Sequence, residues 1–180
     1  MQSDLIALLD GIDPCDPKEE TTRARARELA VSGADLYRGE RADRPDPHLV
    51  SYFAVIDRDH MLLGDHRKSG LLLPSGGHVE PGEHPRRTVE REAQEELSLK
   101  ADFLFPEPIF VTATQTVGPN SHTDISLWFV LRGDRSKPIA FDRGEYSQVR
   151  WFALDHLPTE RTDPELPRFA RKLSKLMEAA

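Results

Sequence analysis

At 180 residues and a formal net charge of −7, the chain has the size of one domain with room for an appendage. A chain of this length buries about 70% of its unfolded surface, so it needs neither a disulfide nor a structural metal to fold. Its one cysteine, Cys15, excludes an internal disulfide and fits a reducing compartment, and its acidity argues against wrapping nucleic acid non-specifically. The opening Met1-Gln2-Ser3-Asp4 lacks the basic start of a signal peptide, and no apolar run has the length of a membrane span. A cytoplasmic location and no membrane partner are therefore expected.

Residues 3–9 predict a short helix, capped by Ser3 and ended by Asp10-Gly11. Asp16-Pro17-Lys18-Glu19 predicts a second, with Asp16 as N-cap, Pro17 in the first position and Glu19 three residues after the cap. It should run to Ser32 and stop at Gly33. Residues 40–48 are charged and proline-interrupted, as in a linker. The chain thus divides into a helical extension, 1–46, and a main domain, 47–180. The extension is expected to pack on the back of the domain, the alternatives being a lid or a homodimer contact.

Leu49–Ile56 and Met61–Leu63 read as strands joined by a turn at 57–60. His66-Arg67-Lys68-Ser69-Gly70 is a basic loop in which Arg67 and Lys68 are candidate contacts for an anionic substrate, the plainer alternative being solvated side chains. Pro74-Ser75-Gly76-Gly77 reads as a turn, and Pro85 as the first residue of a helix. Val89, Ala93 and Leu97 form that helix's apolar stripe, with Glu92, Glu95 and Glu96 on the neighbouring face. Glu92 and Glu96 are like charges four residues apart, which costs about 0.2–0.5 kcal/mol in an isolated helix. The clustering points to an unseen divalent cation; the plainer alternative is a solvated glutamate face. Gly76 and Gly77 let the backbone approach such an ion closely, with the Gly77 carbonyl as a further ligand.

The spacing Gly77, Glu83, Arg91-Glu92, Ala93, Glu95-Glu96, Leu99 resembles the signature box of the Nudix hydrolases (MutT-like), which cleave nucleoside diphosphates linked to another group. Two positions depart: Ser98 stands where the family usually has Gly, and Ser75 where it often has Pro. The resemblance implies an α/β/α sandwich around a mixed β-sheet, and Mg2+ (or Mn2+) held by Gly77, Glu92, Glu95 and Glu96. It also implies a base that is one of these glutamates or Glu145, and an Arg91–Glu83 pair that fastens the loop to the helix. His78 and His84 have no partners spaced like a zinc site and read as loop or cap residues.

Beyond the box, 101–105 and 109–117 read as strands, and Val117 to Ser121 as a loop. His122–Leu131 is the strongest strand signal, with Ile125, Leu127 and Phe129 on one face and Asp124, Ser126 and Trp128 on the other. Asp124 is a candidate contact for a base or ribose, or else the partner of a backbone turn. Gln148–Phe152 predicts the last strand. By resemblance Glu145, before it, reaches the metal site, with Asp142 as rival. Asp163-Pro164 is expected to cap a final helix whose Leu166, Phe169, Ala170, Leu173, Leu176 and Met177 face the core.

The resemblance implies a metal-dependent hydrolase of phosphoanhydrides with a small-molecule nucleotide substrate: a nucleoside triphosphate, an oxidised purine form included, or an ADP-ribose-like compound. The alternative is a non-catalytic module that senses a nucleotide. Loops outside the box set the substrate, and the sequence leaves it open.

Overall fold

The computed structural model describes residues 2–37, 47–116 and 121–179. The predicted linker, apart from Pro47 and His48, and residues 117–120 of the predicted loop lie outside these. The chain opens with α1 (Gln2–Asp10) and α2 (Pro17–Ser32). The carboxylate of Asp16 accepts from the Glu19 N–H, and Gly33 closes α2 in the left-handed conformation at φ 77°.

Among the described residues seven strands form one sheet: β1 (His48–Asp57), β2 (His60–His66), β3 (Leu72–Leu73), β4 (Ser75–His78), β5 (Phe110–Gln115), β6 (Thr123–Arg132) and β7 (Tyr146–Ala153). Their order is β3-β2-β1-β6-β5, with β4 also on β1 and β7 also on β2. β1 runs parallel to β6 and antiparallel to β2 and β4, so the sheet is mixed. β6 lies between β1 and β5 and is buried from Asp124 to Leu131, as a strand heavy on both faces should be.

Alternation along the strands sends side chains into two cores. Phe53, Val55, Leu127 and Phe129 pack with Val89, Ala93 and Leu97 of α3 (Pro85–Leu97), and with Leu5, Leu9, Ala26 and Ala30 of α1 and α2. On the opposite face Ala54, Met61, Leu63, Trp128 and Val130 pack under Leu166, Phe169 and Leu173 of α4 (Leu166–Glu178). Trp128 stacks 4.7 Å from Phe169, and its indole N–H donates to Thr112 Oγ1 at 2.9 Å. Burying each such aromatic contributes about 1.5–3 kcal/mol. The architecture is an α/β/α sandwich.

Four local expectations are corrected. Residues 101–105 make only an isolated bridge, Phe103 to Leu131, because Pro106 and Pro108 lack the N–H groups that would extend the ladder. Ser75–His78 is strand β4 rather than a turn. The final helix starts at Leu166, not at Pro164: Asp163 accepts from the Glu165 N–H at 2.7 Å, which folds a turn ahead of the helix. Of its predicted apolar face, Leu176 is exposed. No helix of the described residues is long and apolar enough to cross a membrane.

Candidate active site

The site forms where β4 passes under α3. β4 pairs with β1 in the register Ser51 to Gly77 and Tyr52 to Gly76. A Cβ on Gly77 would sit 1.9 Å from Glu92 Oε1, so the carboxylate occupies the space that a larger residue would take from it. α3 is capped by His84, whose Nδ1 accepts from the Arg86 N–H at 3.2 Å, and begins at Pro85. It ends at Ser98 in the left-handed conformation, φ 51°, so serine adopts the backbone that glycine would take more cheaply.

Glu92, Glu96 and Glu145 line one cleft of about 500 Å³ together with Gly76, Gly77, Tyr146, Lys68 and Arg91. Burial pushes the Glu96 carboxyl up to about 7; the Tyr146 hydroxyl, donating at 2.7 Å, opposes this, and the charge of Glu92 adds to it. Burial also raises Glu92, against the pull of Arg91 Nη1 at 2.7 Å. Glu145 projects from the loop before β7, its Oε1 3.0 Å from Lys68 Nζ and its Oε2 3.2 Å from His66 Nε2. Glu95 does not line this cleft: its side chain is 60% exposed, 3.3 Å from Arg91 Nη1.

Arg91 forms a two-pronged bridge to Glu83, Nε to Oε1 and Nη2 to Oε2 at 3.1 Å each. Burial alone would raise Glu83, but the bonds from Arg91 and Thr88 outweigh it and hold the carboxyl below its ordinary value. The bridge joins the loop before α3 to the helix. Arg67 is turned away from the cleft: its Nε donates to the carbonyl of Arg143 at 2.7 Å, and its N–H to that of Glu145 at 2.8 Å, so it fixes the loop that carries Glu145. Asp142 caps the same loop by accepting from the Gly144 N–H at 2.7 Å and does not line the cleft. Asp124 lies in the wall of an adjoining cavity of about 520 Å³, which shares Tyr52, His66, Lys68 and Leu73 with the cleft. A larger cavity, about 900 Å³, lies between the β1–β2 turn and α4, away from the glutamates.

Sequence reasoning missed Tyr146 and Ser75, whose hydroxyls lie 3.1 Å apart beside Glu96. The one signal was Ser75 itself, a departure from the resembled pattern at the edge of the box. The donor set suits a hard divalent ion. Glu92 and Glu96 are carboxylates partly stripped of water, no lysine or arginine is within ion-pair distance of Glu96 among the described residues, and a glycine strand leaves room beside them.

The NUDIX domain model matches residues 46–173. Among solved structures, a NUDIX-family hydrolase from Clostridium perfringens is 24% identical with a TM-score of 0.58, over 73% of this chain and 99% of that one. A MutT NUDIX hydrolase from Burkholderia pseudomallei is 23% identical with a TM-score of 0.54, over 70% and 96%. The NUDIX domain of Shewanella oneidensis NrtR, solved with ADP ribose, is 13% identical with a TM-score of 0.58, over 78% and 94%. At these identities the likenesses concern the fold. No protein of curated function matches the chain. The domain match spans well over half of the residues and contains the whole glutamate helix with the loop before it, so the chain belongs to the Nudix family.

Proposed function

We propose that the chain is a Mg2+-dependent pyrophosphohydrolase acting on a phosphoanhydride in a nucleoside diphosphate linked to another moiety. One observation carries this reading: Glu92 and Glu96 from α3, and Glu145 from a separate loop, line the same cleft. A protein that only sensed a nucleotide would have no need of three carboxylates there, since each repels the phosphates.

Glu92, Glu96 and the Gly77 backbone would hold the ion, with Glu95, exposed on the same helix, as the outermost carboxylate of the set. When bound, Mg2+ (or Mn2+) neutralises phosphate charge and makes water more acidic. Glu145 projects from outside the helix and takes the proton of the attacking water; Lys68 and His66 hold it in place. Arg91 and Glu83 keep loop and helix in register. The nucleoside sits in the adjoining cavity against Tyr52, Thr114 and Ser126, and Lys68, which lines both spaces, meets the phosphates between them. We also take residues 1–46 as an extension that completes the core rather than a separate unit.

Glu96→Gln tests the reading. Gln keeps the shape and removes a charge that burial already penalises, so the variant should fold as well as the parent. Its turnover should fall about 10³-fold, and EDTA should abolish the parent's activity until Mg2+ or Mn2+ is restored. The substrates to try are nucleoside triphosphates and ADP-ribose-type compounds. Activity that survives either treatment overturns the assignment; tight binding of one nucleotide without any product would make the chain a sensor.

A further inference from the structure

A second cluster of ligating side chains borders the glutamate cleft, which one of them, His78, also lines, and it uses none of the cleft's carboxylates. His48 opens β1, His78 closes β4, and His122 and Asp124 stand at the start of β6. Parallel pairing sets His48 opposite Asp124, and antiparallel pairing brings His78 to the same end of the sheet. One ligating atom from each of the four lies within 4.8 Å of all the others.

The closest three form a tight triangle. His122 Nε2 is 3.0 Å from Asp124 Oδ1, His78 Nε2 is 3.4 Å from the same oxygen, and the two nitrogens are 3.3 Å apart. Ligands at zinc's bond length of about 2.0–2.1 Å in a tetrahedron lie about 3.3 Å from one another. A hydrogen-bonded pair explains one such edge; three edges of this length, with a third imidazole alongside, are the spacing of a coordination shell. His48 completes it, its ring centroid 4.6 Å from that of His122 and 5.5 Å from that of His78.

The outer contacts agree. The Nδ1 of His122 faces Thr116 Oγ1 at 3.4 Å, which leaves Nε2 to point into the cluster, and a metal-ligating histidine commonly has its other nitrogen held in this way. Asp124 is 8% exposed, so its charge is costly there without a cation.

We propose that His48, His78, His122 and Asp124 form a zinc site, closed and four-coordinate, distinct from the magnesium site on α3. Three imidazoles with one carboxylate suit zinc, whereas magnesium takes oxygen ligands. The four come from three segments far apart in the sequence, so no motif spacing announced them. Closed coordination makes the role structural: the ion would pin the starts of β1 and β6 to the end of β4, one residue beyond Gly77.

The test uses the full chain without a polyhistidine tag, stripped with a chelator and titrated with Zn2+ and Co2+ in excess Mg2+. One equivalent of zinc should bind with Kd below about 1 µM and raise Tm, and cobalt should give the intense visible bands of a four-coordinate ion. His122→Ala should weaken zinc binding about 100-fold or more and lose those bands. Asp124→Asn serves as the second variant should His122→Ala not fold, as judged by circular dichroism. Glu96→Gln should leave zinc affinity within about two-fold, because Glu96 is not one of the four ligands. Faint six-coordinate cobalt bands in the parent, or zinc affinity unchanged in His122→Ala, overturn the proposal. Zinc lost in Glu96→Gln also overturns it, by placing the ion on the glutamates.

Discussion

Two hydroxyls and a carboxylate meet at Glu96. The Tyr146 hydroxyl donates to Glu96 at 2.7 Å, and its oxygen lies 3.1 Å from Ser75 Oγ. The ring is held too: a Cβ on Gly64 would come within 2.3 Å of Tyr146 Cδ1, so β2 leaves the space that the ring fills. Tyr146→Phe keeps this packing and removes only the donor. It should cost about 1 kcal/mol of stability and raise the Mg2+ concentration needed for half-maximal activity; an unchanged Mg2+ requirement would show that the hydroxyl does not position Glu96. Asp163, in the wall of the adjoining cavity, gives a pH prediction. Burial pushes its carboxyl up to about 6 from 3.8; the Glu165 N–H opposes this, and the charges of Glu165 and Asp124 add to it. A folded-state value above the unfolded one means that the native state holds the proton more tightly. The resulting stability is full below about pH 4 and is lost as pH rises through about 6. Asp163→Asn removes the titration and still accepts from the Glu165 N–H. In melts at a series of pH values, the variant should match the parent near pH 4 and exceed it by up to about 3 kcal/mol at pH 7; a difference independent of pH would refute this.

At the scale of elements, β4 is the piece on which the cleft depends. Gly76 has φ 154°, and a Cβ there would lie 2.4 Å from the Ser51 carbonyl oxygen and 2.8 Å from Tyr52 Cα. Both are backbone atoms of β1, which cannot swing aside. Gly82 offers the comparison: its φ is 89°, but a Cβ would meet nothing within 4 Å. Gly82→Ala should cost about 1 kcal/mol, the left-handed penalty alone. Gly76→Ala should cost about 3 kcal/mol or more by urea unfolding; equal costs would mean that close passage over β1 is not what Gly76 serves. This contrast also explains what the sequence made legible. α2 and α3 could be placed because Asp16, Pro17, Gly33 and Pro85 act on backbone within a few residues. β4 is four residues long and half glycine, too short for alternation, and exists because β1 pairs with it. Glu92 and Glu96 were readable as neighbours on one helix, but Glu145 only through a family resemblance. Tyr146, Ser75 and the histidines were hidden because tertiary pairing, not local spacing, brings them together.

Across the whole molecule, α1 and α2 do more than add length. The sheet ends at β5, whose outer edge would be open to pairing with another chain. α2 packs against β5, and its first turn reaches the layer on the other side of the sheet. There Lys172 of α4 donates to Glu19 Oε1 at 2.7 Å, Glu19 Oε2 accepts from the Cys15 N–H at 2.8 Å, and Arg168 Nε donates to Asp16 Oδ2 at 2.9 Å. Glu19 is 0% and Lys172 7% exposed, so this ion pair crosses from the extension to the last helix away from water. Removing one partner of such a pair strands the other charge, at a cost of about 3–5 kcal/mol. Lys172→Met should therefore lower Tm by roughly 10 °C for a chain of this size. Glu19→Gln in the same chain removes the stranded charge, and the amide oxygen still accepts from the Cys15 N–H. The double variant should recover most of the loss. If Lys172→Met melts with the parent, the extension is only lightly attached, and residues 47–180 should then fold alone. If the double variant melts as low as the single one, the loss is of lysine packing over Phe110, whose ring centroid lies 5.5 Å from Nζ, rather than of a buried charge left without its partner.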